Sequence, residues 1–157
     1  MFKPQHILHP TDFSDHSRAA FDVACSIARD SGADLLVVHV VPPPVSIDEV
    51  ADSRRDGYRD RLRDELHALR PADPKPGVGH LLLDGDPAEV IVETAAAQGA
   101  DLVVLGTHGR TGVGRLLMGS VAEQVLRKAT RPVLTVKAPP RPARPDPMAE
   151  QWVTAGH

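Results

Sequence analysis

The chain alternates short apolar runs with longer segments in which apolar residues recur every three or four positions. The apolar runs predict buried β-strands, because strands covered on both faces carry continuous hydrophobic sequence. These runs are His6 to His9, Asp34 to Val41, Val78 to Leu83, Leu102 to Leu105 and Pro132 to Lys137. The periodic segments predict helices over Ser14 to about Ser31, Ile47 to Leu69, Asp86 to about Gln98 and Ser120 to Ala129. This alternation predicts an α/β fold, a single open, doubly wound, mostly parallel five-stranded sheet with helices on both faces.

Residues with strong positional preferences mark the predicted helix ends. Ser14 is a good N-cap for the first helix, and Gly32 is a good C-terminal stop. The third helix opens on Asp86-Pro87-Ala88-Glu89, which combines a cap, a proline at the first position and an acid at the third. The run Ser120-Val121-Ala122-Glu123 matches a capping box. It predicts Ser120 as the N-cap of the last helix, with the Glu123 side chain folded back onto the cap.

The second helical segment is mostly charged. A loose apolar stripe runs along it and consists of Val50, Tyr58, Leu62, Leu66 and Leu69. Gly57 predicts that the helix is broken, or begins late, near that residue. We interpret this segment as a solvated surface helix, with a partner-binding surface as the alternative.

The pattern of alternating elements ends after Lys137. Residues 138–147 contain five prolines and no hydrophobic periodicity, which is typical of an extended or disordered segment. The sequence therefore predicts one domain over residues 1–138 and a proline-rich, flexible tail over 139–157, which includes Trp152.

Composition excludes several classes of function. The length of 157 residues suits one domain, and a net charge of −3 implies no bulk attraction to nucleic acid or to an anionic membrane. Cys25 is the single cysteine, so no intramolecular disulfide is possible; a small buried residue is the favoured interpretation and a redox sensor the alternative. No targeting segment or membrane-spanning run is evident, so the default expectation is a cytoplasmic protein.

A glycine-rich loop between the fourth strand and the last helix carries the candidate chemistry. No carboxylate occurs from Gly106 to Ala122, whereas Arg110 and Arg115 are positively charged. A helix that follows such a loop presents unpaired N–H groups and the positive end of its dipole, which favours an anion such as phosphate. A Walker P-loop is disfavoured because Ser120 follows Gly119 without the lysine, and the dinucleotide fingerprint fails because Leu117 replaces its third glycine.

The spacing Gly106, two residues, Gly109, nine residues, Gly119-Ser120 resembles the ATP-binding loop of the universal stress protein family. The resemblance extends to the segments Ile7 to Ser14 and Val37 to Val40, and it covers residues 3–137. It implies an adenine nucleotide alpha hydrolase-like fold and a nucleotide site at the carboxyl ends of the strands. There the ends Pro10-Thr11-Asp12, Val40 and Leu105-Gly106 are expected to converge.

The same resemblance implies roles for individual residues. Asp12 and Val40 would hold the adenosine, and Gly106 would lie close to the ribose. The phosphate-holding positions are Gly109, Gly119, Ser120, Val121 and Ala122. His108 and Arg110 lie within the motif and complete the candidate set. Because the loop offers no lysine, Mg²⁺ is expected with the phosphates of ATP; no metal site built from protein side chains alone is expected.

Alternatives stay open for several of these residues. Asp12 is also a good turn-capping residue, and Ser120 is a good N-cap. Arginines such as Arg110 and Arg115 are more often solvated than ligating. His9 and His39, at strand ends, are assigned structural roles because nearby Cys or Glu ligands are lacking. His108 has no visible partner that would make it a general base.

Three functions fit the sequence. The first is an ATP-binding, homodimeric sensor or switch in stress response, and members of the resembled family commonly dimerise through the last strand, here Val133 to Lys137. The second is slow ATP hydrolysis or phosphoryl transfer, for which no catalytic residue is assigned. The third is a nucleotide-free module that binds an unknown protein partner.

Overall fold

The computed structural model describes residues 1–44, 52–75, 77–108 and 118–138, with only the backbone described for residues 52–56. Strands and helices alternate in these ranges as the sequence pattern predicts. The strands are β1 His6–Pro10, β2 Asp34–Val41, β3 Val78–Asp84, β4 Leu102–Gly106 and β5 Val133–Val136. The helices are α1 Asp15–Ser31, α2 Asp52–Ala68, α3 Pro87–Ala97 and α4 Ser120–Lys128.

The five strands form one sheet in the order β3-β2-β1-β4-β5, and all the pairings between them are parallel. The prediction of an open, doubly wound α/β sheet is therefore confirmed. The first two crossovers move outward from β1 through β2 to β3. The chain then returns to β4 on the other side of β1 and continues to β5. The point of reversal lies between β1 and β4.

Successive residues of each strand enter opposite layers of the core. One layer joins Ile7, Leu35, Val37 and Val104 to apolar residues of α1 and α2, which are Ala20, Phe21, Ala24, Ala28 and Leu66. The other layer joins Leu8, Val38, Val103 and Leu105 to apolar residues of α3 and α4, which are Ile91, Ala95, Ala122 and Val125. Both faces of the sheet are thus covered by helices, as predicted.

The caps of α1 and α3 are confirmed. The Ser14 side chain accepts a hydrogen bond from Ser17 N, and the helix ends at Gly32, whose φ of 76° is left-handed. The Asp86 side chain accepts from Glu89 N, and Pro87 opens α3. Local side-chain chemistry was sufficient to predict these three ends.

The prediction of a break near Gly57 was wrong. Helix α2 runs from Asp52 through Gly57 to Ala68, and the predicted start at Ile47 lies outside the described residues. Leu62, Leu66 and Leu69 are buried, whereas Tyr58 is exposed, so the predicted apolar stripe packs only in the part of the segment that follows the glycine. In the described part of the chain, no helix is long and apolar enough to cross a membrane. The predicted tail, residues 139–157, lies outside the described residues.

Candidate functional site

The crevice where β1 and β4 separate is the place at which this topology accommodates a ligand. The β1–β4 ladder pairs Ile7 with Leu102 and Leu8 with Val103. A side chain then continues the connection, because His9 Nδ1 donates to the carbonyl oxygen of Val104 at 2.8 Å. Since β1, β2 and β4 are parallel neighbours, their carboxyl ends lie along the same edge of the sheet.

A tight turn follows β1 at this edge. Thr11 is buried, and its Oγ1 lies 3.1 Å from the donating amide of Phe13 and 2.8 Å from Ser17 Oγ. Asp12 Oδ1 accepts a hydrogen bond from Ser14 N at 3.0 Å. Asp12 therefore has the turn-capping role that was the alternative to a nucleotide contact. The contact with adenosine stays a prediction.

Several candidate residues belong to the hydrophobic core. Val40, Leu105 and Ala122 are buried in the layer under α3 and α4, and the half-buried Val121 packs against it. Their side chains position the ends of β2, β4 and α4 relative to one another. Any contribution to a polar ligand would come from their backbone groups.

The two ends of the glycine-rich loop are adjacent in space. Gly119 N donates a 2.7 Å hydrogen bond to Thr107 O, and Thr107 N donates to Val136 O at 3.0 Å. The end of β4 is therefore tied both to the start of α4 and to β5. Gly109 and Arg110, the remaining candidates in the loop, lie outside the described residues.

The capping box that the sequence predicts at the start of α4 is not formed. The N-cap is Gly119, in an extended conformation and without a side-chain cap, so Ser120 is the first helical residue and is exposed. Glu123 does not fold back, because its carboxylate pairs with Arg127 Nη2 at 2.7 Å. The first intrahelical hydrogen bond is donated by Glu123 N to Gly119 O. The amides of Ser120, Val121 and Ala122 precede that bond and have no acceptor within the helix.

His108 and Gly106 face the start of α1. The Nδ1 atom of His108 lies 2.9 Å from Thr107 Oγ1, and its ring centroid is 5.0 Å from that of His16. A Cβ on Gly106 would lie 2.8 Å from the backbone carbonyl carbon and oxygen of His16. Close packing of α1 thus explains the glycine at this position without any ligand.

Three residues that shape this edge were not predicted from the sequence. Phe13 adopts a φ of 63°, which bulky residues seldom do and which no sequence signal announced. Ser17 binds Thr11, and the backbone of His16 packs on Gly106. The capping position of Ser14 was a signal for the start of α1, but it did not reveal how closely that helix approaches β4.

Among the described residues, burial strongly shifts the pKa of His9 and of Cys25. Complete burial lowers the pKa of His9 to about 4, so the imidazole is neutral at pH 7. Burial raises the pKa of the half-buried Cys25 thiol to about 11, which disfavours the thiolate that a redox sensor needs. Among the described residues, no three His, Cys, Asp or Glu side chains converge as a metal site. Any Mg²⁺ would thus take most of its ligands from phosphate and water.

Two clefts lie near the sheet but outside the crevice. One of about 320 Å³ is at the amino ends of β1, β2 and β3, and none of the candidate residues lines it. The other, of about 270 Å³, lies between α1 and α2 and shares only Thr11 with the candidate set. The site is therefore assigned from topology and from the leading amides of α4, not from either of these clefts.

Comparison with known proteins gives one consistent result. A sequence model described as the universal stress protein family matches residues 3–137. The universal stress protein from the QAH/OAS sulfhydrylase 3′ region of Thermus aquaticus is 40% identical over 142 residues, covering 87% of this chain and 100% of its own. Universal stress protein MJ0531 of Methanocaldococcus jannaschii is 38% identical over 139 residues, which cover 85% of this chain and 82% of that protein.

Solved structures share the fold. The hypothetical protein MJ0577 superposes with a TM-score of 0.79 at 26% identity, covering 89% of this chain and all of its own. A universal stress protein in complex with cAMP has a TM-score of 0.62 at 30% identity, covering 88% and 100%. The universal stress protein of Archaeoglobus fulgidus in complex with dAMP has a TM-score of 0.61 at 25% identity, covering 87% and 100%.

Proposed function

This chain belongs to the universal stress protein family, and from that premise we propose that it binds ATP with Mg²⁺ in the crevice between β1 and β4. The nucleotide acts as the signal of a homodimeric switch in stress response. The observation that carries the proposal is the hydrogen bond from Gly119 N to Thr107 O. It holds the leading amides of α4 beside the end of β4, at the reversal point of the sheet.

The start of α4 suits the phosphates. Three successive amides lead the helix, at Ser120, Val121 and Ala122, and the exposed Ser120 adds a hydroxyl donor. Anions bind such helix ends through backbone N–H groups and the helix dipole. Glu123 is the one carboxylate in the first turn, and its pairing with Arg127 offsets its charge. The relatives solved with cAMP and dAMP support an adenine nucleotide as the ligand class.

The adenosine is assigned to the ends of β1 and β2. Asp12 lies in the turn after β1, and Val40 is the penultimate residue of the adjacent strand β2. Gly106, at the end of β4, lies on the other side of β1. A ligand that joins the β1–β2 ends to the start of α4 must span the crevice, and a nucleoside triphosphate has its base and its phosphates at opposite ends.

The dimer is assigned to β5, which is an edge of the sheet. Val133 and Thr135 are half-buried, and Leu134 is exposed although it is apolar. An exposed apolar edge strand favours pairing with another strand, and a two-fold axis would satisfy both copies at once. Binding of ATP to one conformation of that dimer would stabilise that conformation, by an amount that grows with the logarithm of the ATP concentration above the dissociation constant.

Calorimetry tests the proposal directly. Purified protein stripped of small molecules is titrated with ATP in Mg²⁺, with ATP in EDTA, and with cAMP, dAMP and GTP. We expect ATP to bind at micromolar to low millimolar concentration, more weakly without Mg²⁺, and GTP to bind more weakly than ATP. Absence of binding by every adenine nucleotide at millimolar concentration overturns the proposal. Mass spectrometry of the molecules retained in a native purification identifies which adenine nucleotide the protein carries.

A further inference from the structure

A histidine side chain ends the β1–β2 ladder. Thr11 N donates to Val38 O at 2.8 Å, which is the last backbone rung between the two strands. A parallel ladder that continued would direct the next rung from Val40 N to Thr11 O. Among the described residues, Thr11 O instead accepts a 2.7 Å hydrogen bond from His39 Nδ1. The amide of Val40 is thereby left out of the ladder.

The surrounding residues hold the imidazole in this position. The Phe13 ring lies against it with centroids 4.6 Å apart. Phe13 itself has a φ of 63°, a conformation that a large side chain adopts only where its surroundings enforce it. Thr11 Oγ1 accepts from Phe13 N and contacts Ser17 Oγ. The turn after β1 is thus held by His39 of β2, by Ser17 of α1 and by the hydrogen bond between Phe13 N and Thr11 Oγ1.

We infer that His39 is a positioning residue for nucleotide binding. Its ring occupies Thr11 O on the α1 and α2 side of the sheet, and so it releases the N–H group of Val40 for a ligand in the crevice. A released backbone donor in a buried strand needs a new acceptor, and an adenine ring offers acceptor nitrogens. This inference rests on the proposed function for the identity of the ligand, but the release of the Val40 amide is a property of the protein alone.

The inference gives His39 a role beyond packing. Val40 is 7% exposed and packs in the layer under α3 and α4, whereas the neighbouring His39 reaches Thr11 from the opposite face. The His39 side chain therefore takes the place on Thr11 O that the backbone N–H of Val40 would otherwise occupy. The sequence predicted only a structural role for His39, and the inference adds a role in positioning the nucleotide site.

Two variants at position 39 separate positioning from stability. His39→Leu removes the donor, so Val40 N is expected to close onto Thr11 O and extend the ladder by one rung. His39→Asn places an amide nitrogen near the position of Nδ1 and is expected to preserve the wild-type arrangement. Amide hydrogen exchange of the full chain without nucleotide measures this. We expect Val40 to exchange at least tenfold faster than Val38 in the wild type and in His39→Asn, and to become protected in His39→Leu.

Ligand binding supplies the second readout. His39→Leu is expected to weaken ATP binding five- to tenfold, the effect of losing one hydrogen bond, while His39→Asn stays within twofold of the wild type. Inorganic tripolyphosphate, which lacks adenosine, is expected to bind all three proteins equally. A general loss of structure would instead speed exchange at Val38 and weaken both ligands.

The outcomes distinguish failure of the positioning role of His39 from failure of the proposed function. Protection of Val40 in the wild type as strong as that of Val38, or faster exchange of Val40 in His39→Leu, overturns the positioning role. Equal affinity of ATP for the wild type and His39→Leu overturns it as well. A wild-type protein that binds no adenine nucleotide, but shows the expected exchange pattern, overturns the proposed function and leaves the release of the Val40 amide established.

Discussion

The backbone of His16 fills the space above the Cα atom of Gly106. A Cβ at position 106 would lie 2.8 Å from both the carbonyl carbon and the carbonyl oxygen of His16, and 3.1 Å from Ser17 N. These are main-chain atoms of the first turn of α1, which cannot rotate away as the end of a side chain can. The glycine spacing that suggested a phosphate loop therefore has a second cause at its first position, the approach of helix α1 to strand β4.

Gly106→Ala is expected to destabilise the protein by about 1–3 kcal/mol, because an added methyl group in a closely packed core forces the backbone apart. Urea denaturation at pH 7.5 measures the change in the free energy of unfolding. The matched control is Gly57→Ala in the middle of α2, where an added Cβ meets nothing within 4 Å. That change is expected to stabilise the protein by about 0.5–1 kcal/mol, because alanine favours a helix over glycine. A neutral effect of Gly106→Ala would contradict the packing argument.

His9 is expected to make the protein less stable in mild acid. Burial lowers the pKa of His9 to about 4 in the folded state, whereas the ordinary value is 6.5. The imidazole of His9 is therefore protonated below about pH 6.5 in the unfolded chain, but only below about pH 4 in the folded protein. The stability due to the neutral imidazole is complete above pH 6.5 and is lost as the pH falls from 6.5 to 4. Between pH 7.5 and 5 the loss is about 2 kcal/mol.

The variant His9→Asn isolates this effect, because asparagine does not titrate and its amide nitrogen still reaches towards Val104 O. Denaturant midpoints at pH 7.5 and 5 are compared for both proteins, so that contributions from other groups cancel. We expect the stability of the variant to fall by about 2 kcal/mol less than that of the wild type. Identical pH dependence of the two proteins would show that His9 is not the group responsible.

Sequence pattern predicted the architecture well because each strand and most helices are locally self-consistent. The apolar run Leu102 to Leu105 is too short and too hydrophobic for a surface element, and it is β4. Ser14 and Asp86 each satisfy an amide three residues on, and each begins a helix as predicted. Such signals depend only on neighbouring residues, which a single sequence displays.

Predictions failed where distant groups decided the outcome. The capping box at Ser120 competes with the bond from Gly119 N to Thr107 O, which fixes Gly119 as the cap. The left-handed Phe13 and the His39 bond to Thr11 arise from tertiary packing. No local pattern specifies these contacts, so the detailed site could not be read from the sequence.

Thr135→Pro is expected to prevent the proposed dimer. Pro132 and Val136 accept bonds from Val103 N and Thr107 N of the core, so by alternation the amide of Thr135 faces the free edge of β5. Proline there removes an edge donor without breaking a bond to β4. Sedimentation velocity is expected to show a dimeric wild type, a dimeric Thr135→Val control and a monomeric Thr135→Pro. A dimeric Thr135→Pro variant would exclude pairing through this edge.

Ser120 is expected to affect ligand binding much more than stability. It is the first residue of α4 and not its cap, so Ser120→Ala is expected to change the free energy of unfolding by less than about 0.5 kcal/mol. The matched control is Ser14→Ala, which removes the N-cap bond to Ser17 N and is expected to lower that free energy by about 1 kcal/mol. If the Ser120 hydroxyl binds phosphate, Ser120→Ala weakens ATP binding by roughly ten- to a hundredfold, because hydrogen bonds to charged groups contribute about 1.5–3 kcal/mol.

Ser120→Pro extends the same test to the backbone. Proline is favoured at the first helical position, and Gly119 already has the extended conformation that a residue before proline requires, with φ −60° and ψ 148°. The variant should therefore fold like the wild type while lacking both the hydroxyl and the amide at position 120. Calorimetry is expected to rank ATP affinity as wild type, then Ser120→Ala, then Ser120→Pro, with thermal midpoints of the three proteins within about 2 °C. Equal affinities across this series would mean that the phosphates are not held at the start of α4.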